Sequence, residues 1–359
     1  MTELIEEIVA EIESLVVFDS SITGSEAELC EHIKGKLTQL APDQLVTQRT
    51  ARDYASDTWF VFAKWGTGKR LINVHLDTVP IAGQWSKEPF KVTKEGDLIY
   101  GLGVADVKGA LGTVLLVLKK LRPTDVCVLF SGDEEMSSRS IASFINSGLA
   151  NSIEMALVGE PTNCRAGTDH RGIIYLDLDT SGPSGHSSLA SSTPAPLLDI
   201  ARWCNHFAQY DFDAEAANKD YCFNVGALSG GASYNVIPTD GAAKISLRPP
   251  AGVDCHGIAA EIERETETHF PHMDIKRVLV QPSFFTAEYE AFQKIFGDID
   301  VPAYSLDFWT EAAMLADIGI NTIVCGPGDI QDAHKPDEKI LLSEFESYYK
   351  IICRYLTAV

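Results

Sequence analysis

No apolar run in the 359-residue chain approaches the ~20 residues that a membrane-spanning helix needs, so a helical membrane protein is excluded. Positive charge is scarce: 29 Lys and Arg stand against 51 Asp and Glu, a formal net charge of −22 at neutral pH. Such a surface repels polyanions, and no concentrated basic stripe offsets it. The pairs Lys69-Arg70 and Lys119-Lys120 are ordinary surface charge, so nucleic-acid binding is excluded, and the acidic field favours a cationic or zwitterionic substrate. Eight cysteines, from Cys30 to Cys353, include no C-x-x-C pair. Cys127 and Cys325 stand in apolar strand-like runs, so the expectation is buried free thiols in a reducing compartment. The N-terminal stretch MTELIEEIVAEIESLVVF lacks the basic region of a secretory signal; its acids and helical spacing predict an amphipathic helix and a cytoplasmic location. No G-x-S-x-G elbow marks a serine hydrolase. GLGVAD, residues 101–106, lacks the third glycine of the dinucleotide fingerprint and an acidic partner at the expected spacing. There is no internal repeat and no low-complexity linker.

What is present is an ordinary globular composition, 45% apolar and 22% charged, in a chain long enough for two domains with a core each. TWFVFAKW and RLINVHL read as strands, GALGTVLLVLKKL as a helix, DVCVLFS as a strand, SIASFINSGL as a helix and EMALVGE as a strand. That alternation predicts an α/β domain with a mostly parallel central sheet. From about Gly167 the texture changes. RGIIYLDLDTSG alternates apolar and polar residues as a half-exposed antiparallel strand does. A helix follows over 197–209, then strands in YCFNVGALSGG and GAAKISLRP, a helix over 255–268 and a strand in MDIKRVLV. Strand–helix–strand–strand–helix–strand is the split-βαβ order. The α/β texture then returns with a helix over 287–296, the strand NTIVCG and a terminal helix from about Ser343. The expected organisation is an α/β domain over 1–166 and 281–359, interrupted by an inserted α+β domain over 167–280.

The strand RLINVH ends by delivering His75, with Asp77 just beyond. Alone, His-x-Asp reads as a histidine satisfied at a strand-to-loop turn, or as a metal ligand whose other ring nitrogen a carboxylate orients. Other strand ends carry similar residues. DVCVLFSGDEE closes on Asp133, Glu134 and Glu135, MALVGEPT on Glu160, and NTIVCGPGDIQDAH on His334, while Asp106 precedes an apolar helix. Each has a plainer reading: a helix N-cap for Asp106, a solvated acidic turn for Glu134 and Glu135, a loop carboxylate for Glu160, a surface histidine for His334. In an α/β sheet, however, the loops beyond the carboxyl ends of the strands converge on one crevice. Three carboxylates and two imidazoles gathered there repel and desolvate one another unless cations neutralise them. Two divalent ions do so with Asp106 bridging, His75 and Glu160 completing one site, Glu135 and His334 the other. Mixed His/carboxylate ligation suits two Zn²⁺, with Co²⁺ or Mn²⁺ able to substitute. Glu134 is then left beside the ions as general base and acid, and Asp77 orients His75.

Taken in order, HLDTVP, GLGVADVKGA, SGDEE, VGEPT, GHSS, NVIPT and AHKPDE resemble the M20 family of di-zinc amidohydrolases, from about Ser14 to the C-terminal helix. This family includes acetylornithine deacetylase, succinyl-diaminopimelate desuccinylase, aminoacylases and carboxypeptidases. The resemblance implies a catalytic domain with an inserted lid, a homodimer formed through that lid, and a cis peptide at Asp106–Val107. It implies that His186 polarises the scissile carbonyl, often from the partner subunit. Asn235 and Arg248 would bind the substrate, Arg248 through a two-pronged contact with its α-carboxylate. Their plainer readings are a lid-surface histidine, a turn asparagine and a strand-end arginine. One departure is Leu102, where many relatives have arginine. GLGVAD, DFWTEA and GPGDI are closer to the acetylornithine and acetylcitrulline deacetylases. In that comparison Thr310 and Glu311 line the pocket and Glu311 meets a substrate amine, unless it serves only the start of the following helix. Gly326 allows close backbone approach to the substrate. The implied reaction is hydrolysis of N-acetyl-L-ornithine to L-ornithine and acetate, in arginine biosynthesis. N-acetyl-L-citrulline deacetylation, desuccinylation and di- or tripeptide cleavage are alternatives. A non-catalytic binding protein is disfavoured, because neither Glu134 nor any ligand is lost.

Overall fold

Short apolar runs set the frame of the molecule. In the computed structural model, which describes residues 3–53, 55–212 and 221–358, the strands Arg70–His75, Val126–Ser131, Met155–Val158 and Asn321–Val324 pair in parallel. Residues 71–75 and 126–131 are all buried, which is why these strands read as continuous hydrophobic runs: helices cover both faces. Antiparallel strands flank the parallel centre. Thr58–Trp65 and then Gln44–Thr50 extend one side, while Ala166–His170 pairs with Asn321–Val324 on the other. The central sheet is therefore mixed and mostly parallel at its middle.

The helix Lys108–Leu121 is buried from Lys108 to Leu118, so its sequence is apolar nearly all round. It packs against the amphipathic helices Glu3–Val16 and Leu342–Thr357. Among the elements of this domain that leave no clear mark in the sequence are the helix Glu26–Thr38 and the strand Gln44–Thr50. The helix buries Leu29, Ile33 and Leu37 at four-residue spacing, but a glycine and polar residues dilute its stripe. The strand has no fully buried residue and so lacks the alternation that marks one.

The chain divides into two compact units. One comprises Met1–Thr168, Thr286–Ser305 and Thr310–Val359; the other comprises Asp169–Phe285 and Leu306–Trp309. The second unit is the inserted domain. It holds a separate antiparallel sheet in the order Cys222–Ser229, Asp240–Arg248, Ile173–Ser181, Met273–Gln281. Along Ile173–Ser181 buried residues alternate with more exposed ones, the period of a strand with one covered face. Ile200, Trp203 and Phe207 of the helix Pro196–Phe207 and Ile258, Ala259 and Ile262 of the helix Cys255–His269 share one apolar core with Ile174, Leu176 and Leu178. Among the described residues no helix is long and apolar enough to cross a membrane. All eight cysteines are free; Cys127 and Cys325 are buried as expected, with Cys30 and Cys255, while Cys164, Cys204 and Cys353 are half-buried and Cys222 is exposed.

Candidate metal centre

His75 is the last residue of its strand, Glu135 lies in the turn after Val126–Ser131, and Glu160 follows Met155–Val158 by two positions. Because these strands run parallel, their carboxyl ends bring the three side chains to one place. Asp106 reaches it from the loop before the helix Lys108–Leu121, and His334 from beyond the short helical turn Ile330–Asp332. Helix geometry begins after Asp106, at Lys108, and Val107 occupies the cap position. Asp106 is therefore no plain N-cap.

Asp106 offers one carboxylate oxygen to each half of the cluster. Its Oδ1 lies 2.9 Å from His75 Nε2, which is 3.8 Å from Glu160 Oε2. Its Oδ2 lies 3.3 Å from His334 Nε2, which is 2.9 Å from Glu135 Oε1. Within each of the triples His75–Asp106–Glu160 and Asp106–Glu135–His334, one ligand atom per residue can be chosen so that all lie within 4.8 Å of one another. The peptide Asp106–Val107 is cis.

Mutual charge perturbs every member. Burial works to lower the His75 pKa, yet Glu160, Asp106 and Asp77 hold it well above its ordinary value. Hydrogen bonds to Asp106 and Glu135 push His334 up to about 10. Burial also opposes charge on Asp106, but its bonds with His334 and His75 hold it below the usual carboxylate range. Glu160 is raised well above that range by burial and by Asp106, and Glu134 by burial and by Glu160. Three carboxylates against two imidazoles make a donor set that demands positive charge, with hard oxygen and borderline nitrogen atoms in two adjacent groups. Two divalent cations fit it.

Asp77 reaches beyond His75. The Asp77 atom nearest His75 Nδ1 is its carbonyl oxygen, at 2.9 Å, with its carboxylate at 3.5 Å. The carboxylate accepts the backbone N–H groups of Glu134 and Glu135, both at 3.1 Å. Asp77 thus ties the loop carrying two acidic site residues to the strand end carrying His75. Glu311 is buried at the start of the short helix Ala312–Asp317; it makes no side-chain cap bond there. Its Oε2 accepts the Ser131 hydroxyl at 2.5 Å, and its Oε1 has no hydrogen-bond partner among the described residues. Burial pushes its pKa up to about 8. Thr310 beside it is buried and accepts the Ala312 N–H. At Gly326 the close approach is to Glu160: a Cβ there would stand 2.5 Å from the Glu160 carbonyl oxygen and 2.9 Å from its nitrogen.

The inserted unit carries the remaining candidates, and it brings two of them together. His186 lies opposite Val236 in a two-residue ladder, and Ser187 N–H donates to the Asn235 carbonyl at 3.0 Å. Both His186 and Asn235 are exposed. His186 Nδ1 accepts the Ser188 N–H at 3.2 Å. Arg248, at the far end of its strand, donates to the Tyr175 hydroxyl at 2.9 Å.

Sequence reasoning missed Glu338 and Lys108. Glu338 reads as one more charge in the run HKPDE, yet it is buried and accepts three backbone N–H groups, from Gly103, Ala105 and Asp106 at 2.8, 2.8 and 3.0 Å. It holds the loop that presents Asp106. Lys108 is buried with its ammonium on the Phe18 carbonyl at 2.7 Å, and burial lowers its pKa to about 8. No spacing signal links residues so far apart in the chain.

A mixed, mostly parallel sheet with paired His/carboxylate groups gathered at its strand ends and nearby loops, in a chain that also carries an inserted antiparallel domain, defines a dinuclear metallohydrolase. The chain belongs to peptidase family M20/M25/M40, whose family profile matches residues 71–358. An N-acetyl-L-citrulline deacetylase of Xanthomonas campestris pv. campestris is 30% identical over 372 aligned positions, covering 99% of each chain. An acetylornithine deacetylase of Buchnera aphidicola subsp. Schizaphis graminum is 26% identical, covering 81% of each. Among solved structures, aminopeptidase PepT of Bacillus cereus superposes with a TM-score of 0.75 over 98% of both chains. At 17% identity that likeness shows the fold alone.

Proposed function

We propose that this metallohydrolase removes the acetyl group from an Nα-acetyl-L-amino acid, with N-acetyl-L-ornithine as substrate and two Zn²⁺ as the working ions. The observation that carries the deacylase reading is the division of Asp106, one oxygen to each half of the cluster, with the Glu134 carboxyl under the influence of Glu160, His75 and Glu135. His75, Asp106 and Glu160 would hold one ion and Asp106, Glu135 and His334 the other. When bound, such ions polarise a carbonyl and acidify water. Glu134 takes the proton of the attacking water as the C–O bond forms, and gives it to the departing α-nitrogen as the C–N bond breaks, leaving acetate and the free amino acid. His186, whose Nδ1 is occupied as an acceptor, carries its ring proton on Nε2 when neutral. That tautomer suits it to donate to the developing oxyanion, the role assigned to it here. Asn235 and Arg248 are assigned to the substrate's α-carboxylate, Thr310 and Gly326 to the walls of the pocket.

Glu311, with its unpartnered oxygen, supports an amine-bearing side chain such as that of ornithine. N-acetyl-L-citrulline is the second reading, favoured by the full-length match to the Xanthomonas enzyme. A homodimer through the inserted domain is supported by its edge strand Cys222–Ser229, which leaves Val225 and Leu228 exposed. The test is kcat/KM of the zinc-loaded protein on N-acetylornithine, N-acetylcitrulline, N-succinyl-diaminopimelate and an unblocked dipeptide. Preference for acetylornithine is the expected result, and preference for acetylcitrulline establishes the second reading. A clear preference for the succinyl compound or the dipeptide overturns both.

A further inference from the structure

Behind the loop that carries Glu134 and Glu135 lies a buried ionic cluster that the hydrolytic chemistry does not use. Arg52 is buried, with a side chain only 1% exposed, and its Nη1 lies 3.0 Å from Glu26 Oε1 and 2.9 Å from Asp133 Oδ1. Nε of the same guanidinium donates to the Ser56 carbonyl. Glu26 is anchored in turn, its Oε2 accepting the Thr58 hydroxyl at 2.7 Å and the Trp59 N–H at 3.2 Å. A buried guanidinium between two carboxylates is costly to assemble, so its placement calls for a reason beyond stability.

That reason lies in what Asp133 does. It is a non-glycine residue with φ of 68°, in the left-handed region that side chains rarely adopt. Its second carboxylate oxygen accepts the Ser137 hydroxyl at 2.7 Å and the Arg139 N–H at 3.2 Å, and its carbonyl accepts the N–H groups of Ser137 and Ser138. Every turn of the loop therefore closes on Asp133. Next to it, a Cβ on Gly132 would collide with the Glu26 carboxylate, so the cluster presses directly on the backbone of the loop. Asp77 holds the far side through the amides of Glu134 and Glu135. The loop is gripped from two directions, with Glu134 between the grips.

We propose that Arg52, held by Glu26, is a positioning residue that fixes the loop 132–138 through Asp133 and thereby aims the Glu134 carboxylate at the water it deprotonates. The inference rests on Glu134 being the base. Positioning of this kind acts on the transition state more than on substrate binding, and a displacement of ~1 Å costs about 100-fold in rate.

The test compares wild type, Arg52→Lys and Glu26→Gln as metal-loaded proteins. The readouts are kcat and KM on the preferred substrate, bound metal per chain, and backbone hydrogen exchange over residues 132–138. Lysine keeps a cation but loses the planar fork that pairs with Glu26 while bonding Asp133 and Ser56. For R52K the expected result is a kcat lowered about 10- to 100-fold, KM within about twofold, wild-type metal content and faster exchange in the loop. E26Q leaves Arg52 its pairing with Asp133 and is expected to move in the same direction by a smaller factor; it decides the matter should R52K not fold. Wild-type kcat overturns the proposal, as does a loss of kcat matched by loss of metal, or unchanged loop exchange. Retained turnover in Glu134→Gln would instead overturn the reading of Glu134, leaving the exchange result to report on the grip itself.

Discussion

Asp106 and Glu134 are both site carboxylates, and their surroundings separate their tasks. Asp106 is flanked by two imidazoles that favour its charged form, and its backbone is clamped by Glu338, so both of its oxygens are committed. Glu134 faces Glu160, Glu135 and Glu311 and is pushed the other way. A carboxylate disfavoured in its charged form is suited to taking a proton. The role proposed for His186 rests on its tautomer, with Nδ1 accepting the Ser188 N–H. His186 is not one of the proposed ligands, and alanine removes its Nε2–H donor, so His186→Ala is expected to lower kcat by about 10²–10³ while KM changes only a few-fold. Steady-state kinetics check this, and an effect confined to KM would make His186 a binding residue instead.

At the scale of elements, the centre depends on how closely strand ends approach one another. Asn321–Val324 runs parallel to Met155–Val158 in register, Val324 opposite Val158, so the residues that follow, Gly326 and Glu160, also meet. The contact is backbone against backbone, leaving no flexible side chain to yield. Gly326→Ala should therefore displace Glu160 and weaken binding of the ion proposed for His75, Asp106 and Glu160, by about 10- to 100-fold in affinity. Metal content after dialysis against metal-poor buffer is expected to fall toward one ion per chain, whereas retention of both at wild-type affinity would contradict this account. Here the sequence is an incomplete guide. GPGDI advertises glycines without saying what approaches them, and the structure places the Glu160 backbone there. The parallel strands themselves were legible because burial on both faces leaves only apolar residues. Gln44–Thr50, half-buried along its length, carries no such mark.

Across the whole molecule, the alternation of strand and helix signals and its change near Gly167 were enough to read an α/β domain interrupted by an α+β one. Of the five candidate ligands, His75, Glu135 and Glu160 were legible for a topological reason: parallel strands deliver their ends to one crevice, so polar residues at successive ends are neighbours before any coordinates are seen. The buried charges that support them were not. Arg52 meets Asp133 across 81 residues, and Glu338 meets Gly103 across 235. In sequence, a buried charge with a distant partner is indistinguishable from a solvated one, particularly in a chain with 51 acidic residues.

In the proposed mechanism this fold gathers two metal ions and one separate carboxylate, Glu134, that moves the proton. The most direct test is metal content together with kcat of Glu134→Gln, a substitution that keeps shape and removes only the ability to take a proton. The account predicts two ions per chain, as in wild type, with kcat lower by about 10²–10⁴. Near-wild-type turnover, or the loss of an ion, would contradict it.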